Sequence, residues 1–94
     1  MKVVGRKRID DFCRDHADAR APLASWLAES EEANWQTPTD VKERYATASF
    51  LGDGRVVFNI KGNKYRLDTK ISYKNQTVLI KRIGTHAEYD KWIF

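Results

Sequence analysis

The apolar positions of this chain change period part-way along it. In the first third, Ile9, Phe12, Cys13 and His16 fall at i, i+3, i+4 and i+7, the spacing of one helical face. A first helix is therefore predicted over residues 8–16. A second is predicted after it: Asp18 is of a type that caps helix starts, and Pro22 fits a first turn, where N–H groups have no intrahelical partner. Its buried stripe is Leu23, Trp26 and Leu27, with Glu29, Glu31 and Glu32 on the solvent side. Two short helices in tandem read as a helical hairpin. After Trp35, an anchor for the segment, Thr37-Pro38-Thr39-Asp40 places Thr at an N-cap, Pro at N1 and an acid at N3. A helix of one or two turns through Val41 and Tyr45 should follow.

Beyond Gly52-Asp53-Gly54, a plain turn, the period falls to two. Arg55 to Lys61 reads as a strand with Val56, Phe58 and Ile60 on one face and Arg55, Val57, Asn59 and Lys61 on the other. Gly62-Asn63 supplies a two-residue hairpin turn, with Gly where a type II′ turn prefers it. On the return strand, Lys64 to Tyr73, the residues Tyr65, Leu67, Ile71 and Tyr73 point one way and Lys64, Arg66, Asp68 and Lys70 the other. Asn75-Gln76 makes a second turn into a third strand, Thr77 to Thr85, and Val3-Val4 is compatible with an edge strand. Short turns fix register, so pairs can be written down. Lys61 should face Lys64, Asn59 should face Arg66, Val57 should face Asp68 and Arg55 should face Lys70. A two-residue second turn would set Lys70 opposite Lys81 and Arg66 opposite Thr85. The apolar face would meet the N-terminal helices, giving an α+β fold in one domain, residues 1–94: a helical hairpin on a small, twisted, mainly antiparallel sheet.

Charge changes the picture of the other face. Through residue 54 the chain carries 8 Lys/Arg against 10 Asp/Glu; from residue 55 it carries 9 against 3. A basic half in a chain of net charge +4 points to a polyanion, and nucleic acid is the commonest. Lys61, Lys64, Lys70 and Lys81, with Asn59 and Asn63, form the expected RNA-contacting set around Arg66. Like charges crowded on one face repel unless an anion relieves them. Solvated lysines on an exposed strand face are the bland alternative.

The C-terminal stretch Gly84-Thr85-His86-Ala87-Glu88-Tyr89-Asp90 adds candidate chemistry. Thr85 and Glu88 form a capping box, so a short helix should begin with His86 in its first position. A helix start offers unpaired amides and attracts phosphate, and Tyr89 shares a face with His86. Arg66 stands beside that start in the predicted register. No Gly-rich phosphate loop, Ser/His/Asp arrangement or metal-ligand set is present; Cys13 and His16 are two ligands at most. An arginine, an imidazole, a phenol and several lysines suit metal-free RNA cleavage, with no cofactor. A 2′-hydroxyl attacks the adjacent phosphorus, His86 acts as base or acid, Arg66 stabilises the intermediate, and Tyr89 orients the phosphate or shares in proton transfer. Arg66 pairing with Asp68 or Glu88, and His86 merely filling a capped helix start, are the structural alternatives. A non-catalytic RNA- or ribosome-binding module is the alternative function.

The strings Val57-Phe58-Asn59-Ile60-Lys61-Gly62-Asn63-Lys64-Tyr65-Arg66-Leu67 and Gly84-Thr85-His86-Ala87-Glu88-Tyr89-Asp90 resemble the HigB family of bacterial toxins, within the RelE-like mRNA interferases. Ala19-Arg20-Ala21, Leu23, Trp26, Trp35, Pro38 and Asp40 extend the resemblance over nearly the whole chain. It implies a RelE-like fold and a toxin that cleaves mRNA in the ribosomal A site, neutralised by a helix-turn-helix antitoxin of the HigA type. It also implies that Arg66 is the phosphate-stabilising arginine of the central strand. His86 falls near a further arginine of RelE, Asn59 replaces in part the lysines of the preceding strand, and Tyr89 and Trp92 compete for its C-terminal tyrosine. Which of His86, Tyr89 and the lysines moves the proton stays open. One cysteine, no signal-like apolar run and no span-length apolar segment set the expectation of a cytoplasmic protein with no membrane partner.

Overall fold

The period-two half of the chain forms the centre of a five-stranded sheet in the computed structural model, which describes residues 1–94. Its spatial order is β1 (Lys2–Val4), β5 (Thr77–Thr85), β4 (Tyr65–Ser72), β3 (Arg55–Ile60), β2 (Ser49–Gly52). Neighbours are antiparallel except β1, which pairs parallel with β5. Four helices complete the α+β fold: α1 (Arg6–Asp15), α2 (Arg20–Glu32), α3 (Pro38–Arg44) and α4 (His86–Tyr89), with a 3-10 turn at Ala17–Ala19.

Alternation decides which face is covered. Val56, Phe58 and Ile60 of β3, Leu67 and Ile71 of β4, and Val78 and Ile80 of β5 join Ile9, Cys13, Leu23, Trp26 and Val41 in one buried cluster. The Trp26 ring meets Phe58 edge-on at 5.4 Å, and Tyr45 does so at 5.1 Å. Trp35 is buried beside them, the anchor its composition predicts. Burial at roughly 25 cal/mol per Å2 makes this one-sided apolar layer the main source of stability. The N-terminal ammonium donates to the carbonyls of Glu31 and Ala33, tying β1 to the end of α2.

Several expectations need correction. α1 begins at Arg6 because Gly5, left-handed at φ 97°, turns the chain out of β1; a Cβ there would lie 3.0 Å from the Ile80 carbonyl oxygen. Asp18 does not cap α2: the N-cap is Ala19, without a side-chain bond, and the Asp18 carboxylate reaches across to Lys61, Lys64 and Tyr65. The strand β2 was not predicted, since all four of its residues are exposed and show no alternation. By contrast α3 starts as expected, with Thr37 and Asp40 in a reciprocal capping box and Pro38 at N1.

The register of β3 on β4 is the predicted one, including Arg55↔Lys70, Val57↔Asp68 and Asn59↔Arg66. That of β5 on β4 is not. Lys70 faces Leu79 rather than Lys81, because the turn takes more residues than Asn75-Gln76 alone. A bulge at Lys81 then shifts the pairing, so Asp68 faces Arg82 and Arg66 faces Gly84 rather than Thr85, which pairs with Tyr65. The shift turns Arg82 and Gly84 onto the polar face.

Candidate active site

Arg66 sits on the central strand of the polar face, only 8% exposed. Its guanidinium is held from the preceding turn: Nη1 donates to the Asn63 carbonyl at 2.9 Å and Nη2 to Asn63 Oδ1 at 2.5 Å, with a further bond from Nη1 to the Tyr65 carbonyl at 3.3 Å. No carboxylate pairs with it, so neither Asp68 nor Glu88 takes the structural role suggested by sequence. The Tyr89 ring lies 5.1 Å from its Cζ, within cation–π range. The structure therefore brings together Arg66, Asn63 and Tyr89, with Asn59 across the strand pair.

His86 opens α4, which Thr85 and Glu88 cap reciprocally as predicted. The predicted cradle of free amides is largely closed. Thr85 N–H donates to Glu88 Oε1 at 2.9 Å, Glu88 N–H to Thr85 Oγ1 at 3.2 Å, and His86 N–H to the Lys64 carbonyl at 3.1 Å. These donors are spent within the protein, and the bond from the Thr85 amide holds the Glu88 carboxyl below its ordinary range. What His86 does present is an exposed imidazole whose Nδ1 lies 3.4 Å from Asp90 Oδ2, four residues on. The Asp90 carboxylate is thus a neighbour of the ring that can pair with a protonated imidazole. The i, i+4 spacing of His86 and Asp90 was the available signal for this neighbour.

The lysines divide into two groups. Lys61 and Lys64 both pair with Asp18, at 3.1 and 2.5 Å, on the helical side of the turn. Lys70 and Lys81 are exposed with no carboxylate partner, but Lys70 lies four residues along β4 from Arg66, about 13 Å at the rise of a strand. Asn59 donates from its amide to the Thr47 carbonyl at 3.1 Å. The even basic carpet read from sequence is thus a compact arginine site with outlying cations.

Residues whose roles sequence reasoning missed cover the middle of this face. Asp68, fully buried, binds Arg55 through Nε and Nη2 and Arg82 through Nε at 2.9 Å. Across these arginines lie Trp92 and Phe94: Arg82 Cζ is 4.3 Å from the first ring and 5.0 Å from the second, and Arg55 Cζ is 5.3 Å from the second. Tyr89 joins the cluster edge-on to Trp92 at 5.6 Å. Gly84 makes room for it, since a Cβ there would lie 2.6 Å from Trp92 Cζ2. Gly84→Ala is accordingly expected to lever the ring off the sheet and raise acrylamide quenching of tryptophan emission, Trp26 and Trp35 being buried. Unchanged quenching would place Trp92 elsewhere in solution. No three His, Cys, Asp or Glu side chains converge as a metal-ligand group.

A family profile described as HigB_toxin, RelE-like toxic component of a toxin-antitoxin system, matches residues 19–92. The chain belongs to this toxin family. The match takes in Asn59, Asn63, Arg66, Asp68, His86, Tyr89 and Trp92, while Asp18 and Phe94 lie just outside it. The chain is also similar to the mRNA interferase HigB of Escherichia coli O6:H1 (strain CFT073), 24% identical over 93 residues, which covers 97% of this chain and 90% of that protein. The α+β architecture, with its mostly antiparallel sheet and short C-terminal helix, is consistent with the RelE-like fold of the HigB family. No helix is long and apolar enough to cross a membrane.

Proposed function

We propose that this HigB-family toxin is an endoribonuclease that cuts translated mRNA in the ribosomal A site through attack of a 2′-hydroxyl on the adjacent phosphorus. The observation that carries the reading is Arg66. It is a nearly buried guanidinium without a carboxylate partner, fixed from one side by Asn63, with a phenol over it and a histidine-bearing helix at its strand end. A cation so placed is preorganised for charge that develops on a phosphorane. His86, with Asp90 beside it, carries the proton from the 2′-hydroxyl or to the leaving 5′ oxygen, and Tyr89 orients the phosphate. The reaction needs only proton transfer and charge stabilisation, which these side chains supply without a metal. Asn59, Asn63, Lys61, Lys64, Lys70 and Lys81 are the proposed RNA contacts, with Lys61 and Lys64 sharing their charge with Asp18. A HigA-type helix-turn-helix antitoxin and a cytoplasmic setting complete the proposal.

The products test it. Programmed ribosomes incubated with the toxin are expected to yield fragments ending in 2′,3′-cyclic or 3′-phosphate, and a 2′-deoxy substitution at the cut site should abolish cleavage. Fragments with 5′-phosphate and 3′-hydroxyl ends would exclude this mechanism. Ribosome binding with no cleavage would establish the alternative, a non-catalytic RNA- or ribosome-binding module.

A further inference from the structure

The turn between β3 and β4 has two attachments to the proposed site and one to the helical layer. On its site side, the Asn63 carbonyl and Oδ1 hold the Arg66 guanidinium, and the Lys64 carbonyl accepts from the His86 amide. The turn itself is closed by Lys64 N–H on the Lys61 carbonyl at 3.2 Å, with Lys61 and Gly62 both at positive φ, 53° and 65°. A lysine in the left-handed region is strained and needs its surroundings to keep it there. On the other side stands one carboxylate. Asp18 Oδ2 accepts from Lys61 Nζ at 3.1 Å and from Lys64 Nζ at 2.5 Å, and Oδ1 accepts from Tyr65 Oη at 2.5 Å. All three donors belong to the turn or to the first residue after it, whereas Asp18 belongs to the 3-10 turn joining α1 to α2.

We infer that Asp18 is a positioning residue for cleavage: by gripping Lys61, Lys64 and Tyr65 it fixes the turn from which Arg66 and His86 are both held. Its grip also offsets part of the two lysine charges that meet RNA. The carboxyl lies far below its ordinary range because of Lys64, Tyr65 and Lys61, so the contact is charged at neutral pH. Two effects of opposite sign follow from removing it. Arg66 and His86 lose their common support, which slows chemistry, while Lys61 and Lys64 become free to bind phosphate, which strengthens affinity. Loss of fold alone would weaken both.

The inference rests on the nuclease reading above, and the experiment separates the two. Single-turnover cleavage, affinity for an RNA blocked by 2′-deoxy substitution, and hydrogen exchange of the His86 amide are measured for wild type, Asp18→Asn and Tyr65→Phe. Asp18→Asn is expected to cut the cleavage rate about 10- to 100-fold, since small misplacements of reacting groups cost this much. It should tighten RNA binding about two- to fivefold through the released cations. Exchange of the His86 amide should accelerate. Tyr65→Phe removes the Oδ1 donor and leaves every charge in place, so its cleavage rate should fall by less, with affinity unchanged. A folded Asp18→Asn protein that cleaves within about twofold of wild type and exchanges as slowly would overturn the inference, as would weakening of rate and affinity in parallel. Should Asp18→Asn not fold, Tyr65→Phe decides by the same rate and exchange readings. Absence of cleavage by wild type would reject the nuclease reading, and the exchange data alone would then judge the role of Asp18.

Discussion

Replacing Arg66 by alanine is expected to slow mRNA cleavage about 100- to 1,000-fold, the usual loss when one preorganised donor to a developing oxyanion is removed. The site has no substitute nearby. Lys61 and Lys64 turn toward Asp18, Lys70 is too far along the strand, and Arg55 and Arg82 are committed to Asp68. Arg66→Lys should recover little, because one ammonium cannot occupy the Asn63 carbonyl and Oδ1 while still presenting a fork of N–H donors to a phosphate. Stability should change only modestly, since the carbonyl freed at Asn63 lies in an exposed turn and returns to water. Single-turnover rates beside thermal melts check both halves of the statement. A variant that unfolds, or one that cleaves normally, would contradict this assignment of Arg66.

Asp68→Ala should produce the opposite pattern, a large loss of stability whatever the effect on chemistry. The carboxylate is fully buried and carries the only negative charge between Arg55 and Arg82 on the two flanking strands. Removing one member of a buried ionic group typically costs 3–5 kcal/mol, and about 3 kcal/mol is expected here because both guanidiniums keep some contact with water. The displaced arginines should also release Trp92 and Phe94, which rest on them. Urea unfolding measures the first effect. In the Arg55→Ala background the same substitution should cost less, since one of the two stranded cations is already gone; equal costs would show that Asp68 and Arg55 act independently.

Legibility from sequence followed the range of the interactions. The capping boxes at Thr37 and Thr85 are local, and each lies where its residues predict; the β3–β4 register holds from Arg55↔Lys70 to Asn59↔Arg66, although the ladder stops at Ile60↔Tyr65 and Lys61 to Lys64 all belong to the turn. Placing Arg66 beside Asn59 needed nothing more. The misreadings each involve a distant partner. Asp18 has the chemistry of a helix cap, and only the tertiary fold offers it two lysines and a phenol more than forty residues away. In β5 the pairs Lys70–Lys81 and Arg66–Thr85 were misplaced: Ile80 and Ile83 stand three apart, and only the bulge at Lys81 lets both face the core while Arg82 stands opposite Asp68. The aromatics at 92 and 94 follow the last helix, and their seat on Arg82 and Arg55 depends on that same shift. His86 was legible as a residue but not in its setting: its own amide and those of Thr85 and Glu88 are bonded internally, and Asp90 stands beside the ring.

The bulge has a consequence for how β5 can vary. Had Lys81 been absent, Arg82 would still stand opposite Asp68 and Gly84 opposite Arg66, because the residues before the bulge are offset from those after it by a single place. Lys81 is thus an absorbed insertion that leaves every partner unchanged and alters only the bend and twist of the strand. It divides β5 into two stretches with separate duties, Val78 and Ile80 filling the apolar layer and Arg82 and Gly84 shaping the polar one. Drift in the first stretch can be taken up at this joint before it reaches the second.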